Sequence, residues 1–435
     1  MRFLDEFINY MSSVDAAKLF RMFWFFFIFE FFRFFLVEIS TIIFWKFDSI
    51  FRKKGIADAR LSLIKNQPLV SIIVPGRNEG KHIFKLVNSL KEQTYQNFEL
   101  IVIDDGSDDD TAVICRNLEH RGMINAFYRN DVRGGKASAA NLGLRFARGE
   151  YIIHFDADCS YDRDAIENIL VPFFYNPKIG AVGGNVQVRN YKESLCATLQ
   201  ALEYYDTISI GRITTSELGI YRVISGAFGA FKREALDRLG GWDIGPGLDG
   251  DITVKIRKLG YIIHFEPTAV CQTSVPVTFD RLIKQRLRWD KSLIRFRLRK
   301  HRDVFFPNDS FKFSNFISFV ENVTYNLILN VKWYFYLFDM VFNFTSQLVF
   351  IIPMNIVLYT VNNFMKFLVF SPFRDRKNEG ITYFLIYIPL MVFYFGYFLR
   401  IVRTVAYVQE LFFKASYKDS WNPAKSSRQA KALKL

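Results

Sequence analysis

For a chain of 435 residues this one is poor in the residues that disulfide-stapled and zinc-built proteins depend on, with four cysteines and five histidines. Cys115, Cys159, Cys196 and Cys271 are widely scattered and form no CxxC pair, and no histidine stands near them at metal-ligand spacing. That pattern excludes a zinc ribbon and a disulfide framework, and the four are expected as buried thiols in a reducing compartment. Repeats and low-complexity linkers are missing. So is a small-residue cleavage site after the first apolar run, which is therefore expected to stay in the mature protein. Acidic residues are fewer than basic ones, 43 against 57, for a formal charge of +14.

Aromatic residues are plentiful: 48 Phe, 21 Tyr and 6 Trp make up 17% of a chain that is half hydrophobic. Greasy and basic together point to a membrane protein with a positive cytosolic side. Residues 19–47 are long enough to cross about 30 Å of hydrocarbon. Glu30, Arg33 and Glu38 lie inside that run, each costing at least about 2.5 kcal/mol if unpaired, and Glu30 and Arg33 are spaced to pair on one face. An interfacial helix is the alternative. Lys46, Arg52, Lys53 and Lys54 follow, placing the chain from residue 50 onward in the cytosol. The stretches 313–370 and 381–402 are apolar again. Arg403, Lys414, Lys418, Lys425 and Arg428 after them favour a cytosolic end, and hence an even number of crossings, with four preferred. The expected organisation is a transmembrane helix in 1–50, a cytosolic catalytic domain in 51–305, interfacial and transmembrane helices in 306–412, and a cytosolic tail in 413–435.

Between Leu69 and Thr273 short β-branched runs alternate with amphipathic stretches, as in βαβ units of an open parallel α/β sheet. Strands are expected at 70–75, 98–105, 124–129 and 151–158. Each ends in polar or acidic residues, where such sheets place their ligand. SIIVPGRNEG carries Pro75, Asn78 and Glu79 at the lip of the first strand. FELIVIDDGSDDDT ends in Asp104 and Asp105, placed for nucleoside hydroxyls, although a capped turn explains the motif about as well. In NDVRGGKASAANLG, Gly134 and Gly135 permit close backbone approach, and Lys136 supplies a compact positive charge for phosphate. YIIHFDADCS ends in Asp156 and Asp158. Residues two apart on a strand point the same way, so this pair suits one hard cation, Mg²⁺ or Mn²⁺. Inverting transfer of a sugar also needs a base, and Asp249 in PGLDGDITVKIRKLGY is the candidate; a helix-capping role for Asp249 remains open. The tract from Arg281 to Arg302 holds ten Lys or Arg. Arg286 and Arg288 there could offset phosphate charge, and Trp289 could face an acceptor sugar, whereas the plain reading is a basic helix on anionic lipid.

With these segments in this order, the chain resembles the processive family-2 glycosyltransferases, the group of cellulose, hyaluronan and poly-N-acetylglucosamine synthases, over about residues 70–300. QRLRW fits the family's Gln-x-x-Arg-Trp signature through Gln285, Arg288 and Trp289. The resemblance implies a Rossmann-like GT-A domain of α/β class with transmembrane helices on both sides, at the plasma membrane. It implies an inverting transfer from a UDP-sugar donor to a growing polysaccharide acceptor, with the product threaded across the lipid bilayer. Pro75, Glu79, Asp105, Lys136 and Asp156 are then donor residues, Asp156 and Asp158 hold the metal diphosphate, and Asp249 is the base. Lys255 and Gly260 stand at the family's distances from Asp249, but Gly247 and Leu248 depart from its pattern and leave Asp251 as a second candidate base. Ser225 and Gly226 fall where the family contacts the acceptor, and Trp421 falls where a gating loop is expected. Regulation would be left to an accessory subunit or a homo-oligomer. The competing readings are a membrane transferase that adds one sugar to a lipid and a non-catalytic nucleotide-sugar scaffold. Nucleic-acid binding is disfavoured because the basic tract adjoins apolar segments.

Overall fold

The structure is a computed structural model that describes residues 2–245, 247–370, 381–418 and 423–433. It divides into two compact units, one of residues 1–45 with 320–404 and one of residues 46–319 with 405–435.

The second unit is built on an eight-stranded sheet. Its strands are β1 (Val70–Gly76), β2 (Phe98–Asp104), β3 (Ala126–Arg129), β4 (Tyr151–Phe155), β5 (Ser160–Tyr161), β6 (Ile179–Val188), β7 (Phe228–Lys232) and β8 (Ile262–Thr273), in the order β3-β2-β1-β4-β7-β6-β8-β5. β1 pairs in parallel with both β2 and β4. Helices cover both faces there, so β1 reads as the unbroken apolar run SIIV instead of an alternating one. The four expected strands are present. The expectation of an all-parallel sheet is corrected: β7 runs antiparallel to both β4 and β6, which makes the sheet mixed. Gly183 and Gly184 of β6 sit where a Cβ would meet Tyr221 and Phe228, so the far half of the sheet packs closely only because these positions lack side chains. The order reverses between β1 and β4, and the carboxyl ends of β1, β2 and β4 therefore open onto one crevice. All four cysteines are free and buried.

The first unit is helical and aromatic. Met22, Phe23 and Phe25 pack with Trp333, Tyr336 and Met340, and the Tyr336 hydroxyl donates to the Met22 carbonyl at 2.7 Å. Among the described residues two helices, Thr345–Val369 and Ile388–Phe413, are long and apolar enough to cross a membrane, and the span expected in 19–47 is not one of them. Glu30 and Arg33 take other partners instead of the pairing with each other that their spacing allows. Arg33 donates to Glu321 at 2.8 Å and lies 3.5 Å from Glu38, whose other oxygen is 3.0 Å from Lys366. Glu30 takes Arg400 at 2.7 Å. Breaking a buried pair strands its partner's charge. Arg33→Ala is thus expected to destabilise the protein by about 3–5 kcal/mol, read as a lower thermal midpoint in detergent; an unchanged midpoint would show that the cluster contributes nothing.

Candidate active site

The crevice is lined by carboxylates held in place by backbone. Asn78 adopts a left-handed conformation at φ 60°, its amide donating to Ser107 Oγ at 2.8 Å and its Oδ1 accepting from the Asp108 amide at 2.9 Å. These bonds stitch the loop after β1 to the loop after β2 and present Glu79, whose amide donates to Thr111 Oγ1. Pro75, next to last in β1, is in register with Ile103. Asp105 accepts from the amides of Gly134 and Gly135 at 2.8 Å each and from Asn130 Nδ2 at 3.0 Å. It therefore shapes the Gly-Gly-Lys turn from beneath. Gly135 sits at φ 91°, and a Cβ on Gly134 would meet Ser138 Oγ at 2.4 Å, so the two glycines are required by conformation and by space.

That turn starts the helix Lys136–Phe146 and brings Lys136 Nζ to 2.5 Å from Asp156 Oδ1. Burial alone would pull the Lys136 ammonium down, but Asp156, Asp249 and Asp158 raise it, so it is charged. Asp158 is raised by burial and by Asp156. Glu79 is pushed up to about 7 by burial and by Asp158 and Asp156, with Lys136 opposing. Asp249 lies in the first turn of the helix Leu248–Lys258, close to the Gly226 backbone: a Cβ on Gly226 would meet Asp249 Oδ1 at 2.5 Å. Burial raises its carboxyl, while Lys136, the Gly226 amide and Arg212 hold it down. The Ala227 carbonyl accepts from the Asp156 amide and from the Tyr161 hydroxyl, so Ser225 and Gly226 stand beside the aspartate strand.

Glu79, Lys136, Asp156, Asp158, Gly226 and Asp249 thus form one electrostatic cluster in which acids outnumber bases. Asp156, Asp158 and Glu79 offer hard oxygens of the kind Mg²⁺ or Mn²⁺ prefers, and their mutual repulsion is relieved by added positive charge. Among the described residues no three acidic, histidine or cysteine side chains converge tightly enough to hold an ion alone, so a diphosphate would have to complete its shell. Asp251 is otherwise engaged. It accepts from His301 Nε2 at 2.6 Å and lies 2.8 Å from Lys300 Nζ; burial works to raise it, but these partners hold it well below the usual carboxylate range.

Gln285, Arg288 and Trp289 lie on the helix Phe279–Ser292. Gln285 Oε1 is buried with no hydrogen-bond partner among the described residues, and Trp289 is 39% exposed. Arg286 is paired with Glu203 at 2.8 Å and lies 4.6 Å from the centre of the Trp289 ring, so it holds that ring and does not stand free for phosphate. The plain lipid-surface reading of the tract also gives way: Arg295 and Arg297 are buried, and Arg299 donates to the buried Glu410 at 2.6 Å. Trp421 lies outside the described residues. Sequence reasoning missed Arg212, the cationic neighbour of Asp249, and Arg189, which donates to the Asp158 carbonyl at 3.2 Å. It also missed Ser426, which donates to the Gly134 carbonyl at 2.7 Å. Arg189 follows the strand run NVQV, the one signal that was available; Ser426 left none.

Residues 71–240 match the family model described as Glycosyl transferase family 2. The chain carries a family-2 glycosyltransferase domain. A poly-beta-1,6-N-acetyl-D-glucosamine synthase of Staphylococcus epidermidis is 36% identical over 255 residues, covering 57% of this chain and 61% of that one. One of Staphylococcus aureus is 35% identical over 223 residues, covering 51% and 53%. The chain therefore spans about three fifths or less of the length of these curated relatives. A mannosyltransferase of Pyrobaculum calidifontis, solved with GDP-mannose and Mn²⁺, shares the fold with a TM-score of 0.55 at 21% identity, over 84% of this chain and 98% of that one.

The glycosyltransferase domain has a predictable pH response. Glu79 binds its proton more tightly in the folded protein, at about 7, than an ordinary glutamate does. Stability without divalent ions should therefore fall as pH rises from 4.5 through 7. Glu79→Gln is expected to flatten that part of the thermal-midpoint profile measured in chelator. An unchanged slope would show that Glu79 does not carry the proton.

Proposed function

We propose that this protein is a membrane-embedded, inverting, processive glycosyltransferase that transfers N-acetylglucosamine from its UDP donor to the end of a growing β-linked polysaccharide and passes the product across the membrane. The observation that carries this reading is the convergence of Lys136, Asp156, Asp158 and Glu79 with Asp249 in one crevice at the ends of β1, β2 and β4. The names of the staphylococcal relatives favour N-acetylglucosamine and a β-1,6 linkage.

In this mechanism Asp105 and the Gly134–Gly135 turn cradle the nucleoside side of the donor, and Lys136 faces the diphosphate. Asp156 and Asp158 would hold Mg²⁺ or Mn²⁺, which supplies charge neutralisation for the departing diphosphate. Asp249 accepts the proton of the acceptor hydroxyl as that oxygen bonds to the sugar's anomeric carbon. The bond from that carbon to the diphosphate breaks, and UDP leaves with the electron pair. Burial raises the Asp249 carboxyl and makes it a better base than an exposed carboxylate, with Lys136 and Arg212 acting against that rise. Gly226 leaves room for it. Trp289, braced by Arg286, offers an apolar face to the acceptor sugar, with Gln285 and Arg288 on the same helix. The apolar helices Thr345–Val369 and Ile388–Phe413 suit a multi-pass protein with its transferase domain in the cytosol.

The test is full-length protein in lipid nanodiscs with Mn²⁺ or Mg²⁺ and radiolabelled UDP-sugars, the product being sized by gel. A large polymer from UDP-N-acetylglucosamine is expected. A lipid-extractable product bearing one sugar would replace processive synthesis with single transfer. Asp249→Asn should lower the rate by about 10²–10⁴-fold and leave donor binding in place; near-normal turnover would remove Asp249 as the base.

A further inference from the structure

We infer that Asp251 and His301 are positioning residues for Asp249: they fasten the helix that carries it to the helical tract that carries Gln285, Arg288 and Trp289, so that base and acceptor platform are held as one body. The inference rests on the function proposed for Asp249.

Residues two apart on a helix face directions about 200° apart. With Asp249 toward Gly226, Asp251 faces the opposite way, and it is only 4% exposed. Its Oδ1 meets His301 Nε2 at 2.6 Å and Lys300 Nζ at 2.8 Å, both at the end of the tract that begins at Phe279. Lys300 also bonds Asp243, which Lys255 reaches at 2.6 Å from one turn further along the Asp249 helix. From the last turn of that helix, Lys258 Nζ donates to His301 Nδ1 at 3.1 Å and to Asp303 at 2.5 Å. An ammonium at Nδ1 can only donate, which places the imidazole proton on Nε2, pointing at Asp251. The ring thus works neutral, as a bridge between the two ends of one helix.

The backbone contacts run the same way. A Cβ on Gly245 would meet an Arg295 nitrogen at 2.4 Å, one on Gly247 would meet Ser292 Cβ at 3.1 Å, and one on Gly250 would meet Phe296 Cζ at 2.3 Å. Gly247 also sits at φ 86°. The departure of Gly247 from the family pattern therefore has a local reason: a side chain there would be strained in conformation and pressed against the tract. Three glycines admit the contact and the ion cluster locks it, which leaves the base no freedom to drift from the platform on which the acceptor would rest. Displacements of about 1 Å in such a constellation can cost two orders of magnitude in rate.

The test uses the full chain in nanodiscs and two variants, His301→Ala and the conservative His301→Gln, whose amide can still donate to Asp251. For His301→Ala, kcat should fall about 10- to 100-fold with KM for the donor unchanged, and amide exchange over residues 248–251 should quicken. His301→Gln should recover most of both. Faster exchange with an unaltered kcat would overturn the inference, as would a matching loss of donor affinity, which marks a general stabiliser. Exchange is read without turnover. A wild type that transfers no sugar would therefore sink the functional proposal, whereas exchange at 248–251 that is the same in His301→Ala and wild type would sink this one.

Discussion

Four carboxylates brought to one crevice must repel one another, and the arrangement of the transferase domain follows from how that repulsion is managed. Asp156 and Asp158 come from the end of β4, Glu79 from the loop after β1 and Asp249 from a helix far along the chain. Lys136 makes direct contact, at 2.5 Å from Asp156. One ammonium does not balance the set, and burial together with the remaining repulsion pushes Glu79, Asp158 and Asp249 upward. A fold selected for stability alone would not gather them. The surplus negative charge is what a divalent cation and the leaving diphosphate can use together, and it is concentrated where the sheet's switch point leaves space.

The same bookkeeping of charge explains the basic tract. From composition, ten cations in 281–302 read as a surface. In the structure several of them serve as internal ties: Arg286 to Glu203, Arg299 to Glu410, and Lys300 to Asp243 and Asp251, while Lys284 keeps to the surface with Asp280. Arg295 lies 4.8 Å from the centre of the Tyr417 ring, drawing the C-terminal segment of this unit onto the tract. Guanidinium groups tolerate such burial because each has several donors to satisfy at once. The second half of the tract is therefore a structural tie within its unit, and the exposed cations lie mainly in its first half.

The parallel half of the sheet was legible because its signals are local: β-branched runs of strand length, each closed by acids or glycines at a turn. The antiparallel β7 was not, since FGAFK carries no mark of direction, and direction is set by the chain's path. The helix start fixes where the Lys136 side chain goes, whereas Asp156 and Asp158 lie in the turn after β4, past the strand whose alternation was the argument for pairing them. The distinction between Asp249 and Asp251 was not legible. Two acids in one turn look equivalent until His301, fifty residues further on, claims one of them. Asp105 reads on sequence as a nucleoside contact or as part of a capped turn, and in the structure its carboxylate holds the Gly134–Gly135 turn that leads into Lys136, a tie its own motif does not signal.

The charges in 19–47 carry this lesson into the helical unit. Each would be costly alone in hydrocarbon, and on sequence they weaken the case for a spanning helix. Their partners stand far away along the chain, Glu321 at a separation of 288 residues from Arg33 and Arg400 at 370 from Glu30. Lys366 completes the set through Glu38. Every cation there has an acid within reach and every acid a cation, so no net charge is left in the apolar surroundings. An N-terminal segment with three charges and C-terminal helices with their complements are each poor membrane residents. Joined, they bury the ion pairs against Phe25, Phe34 and Trp333. The unit must therefore be assembled from both ends of the chain, after the intervening transferase domain has been made.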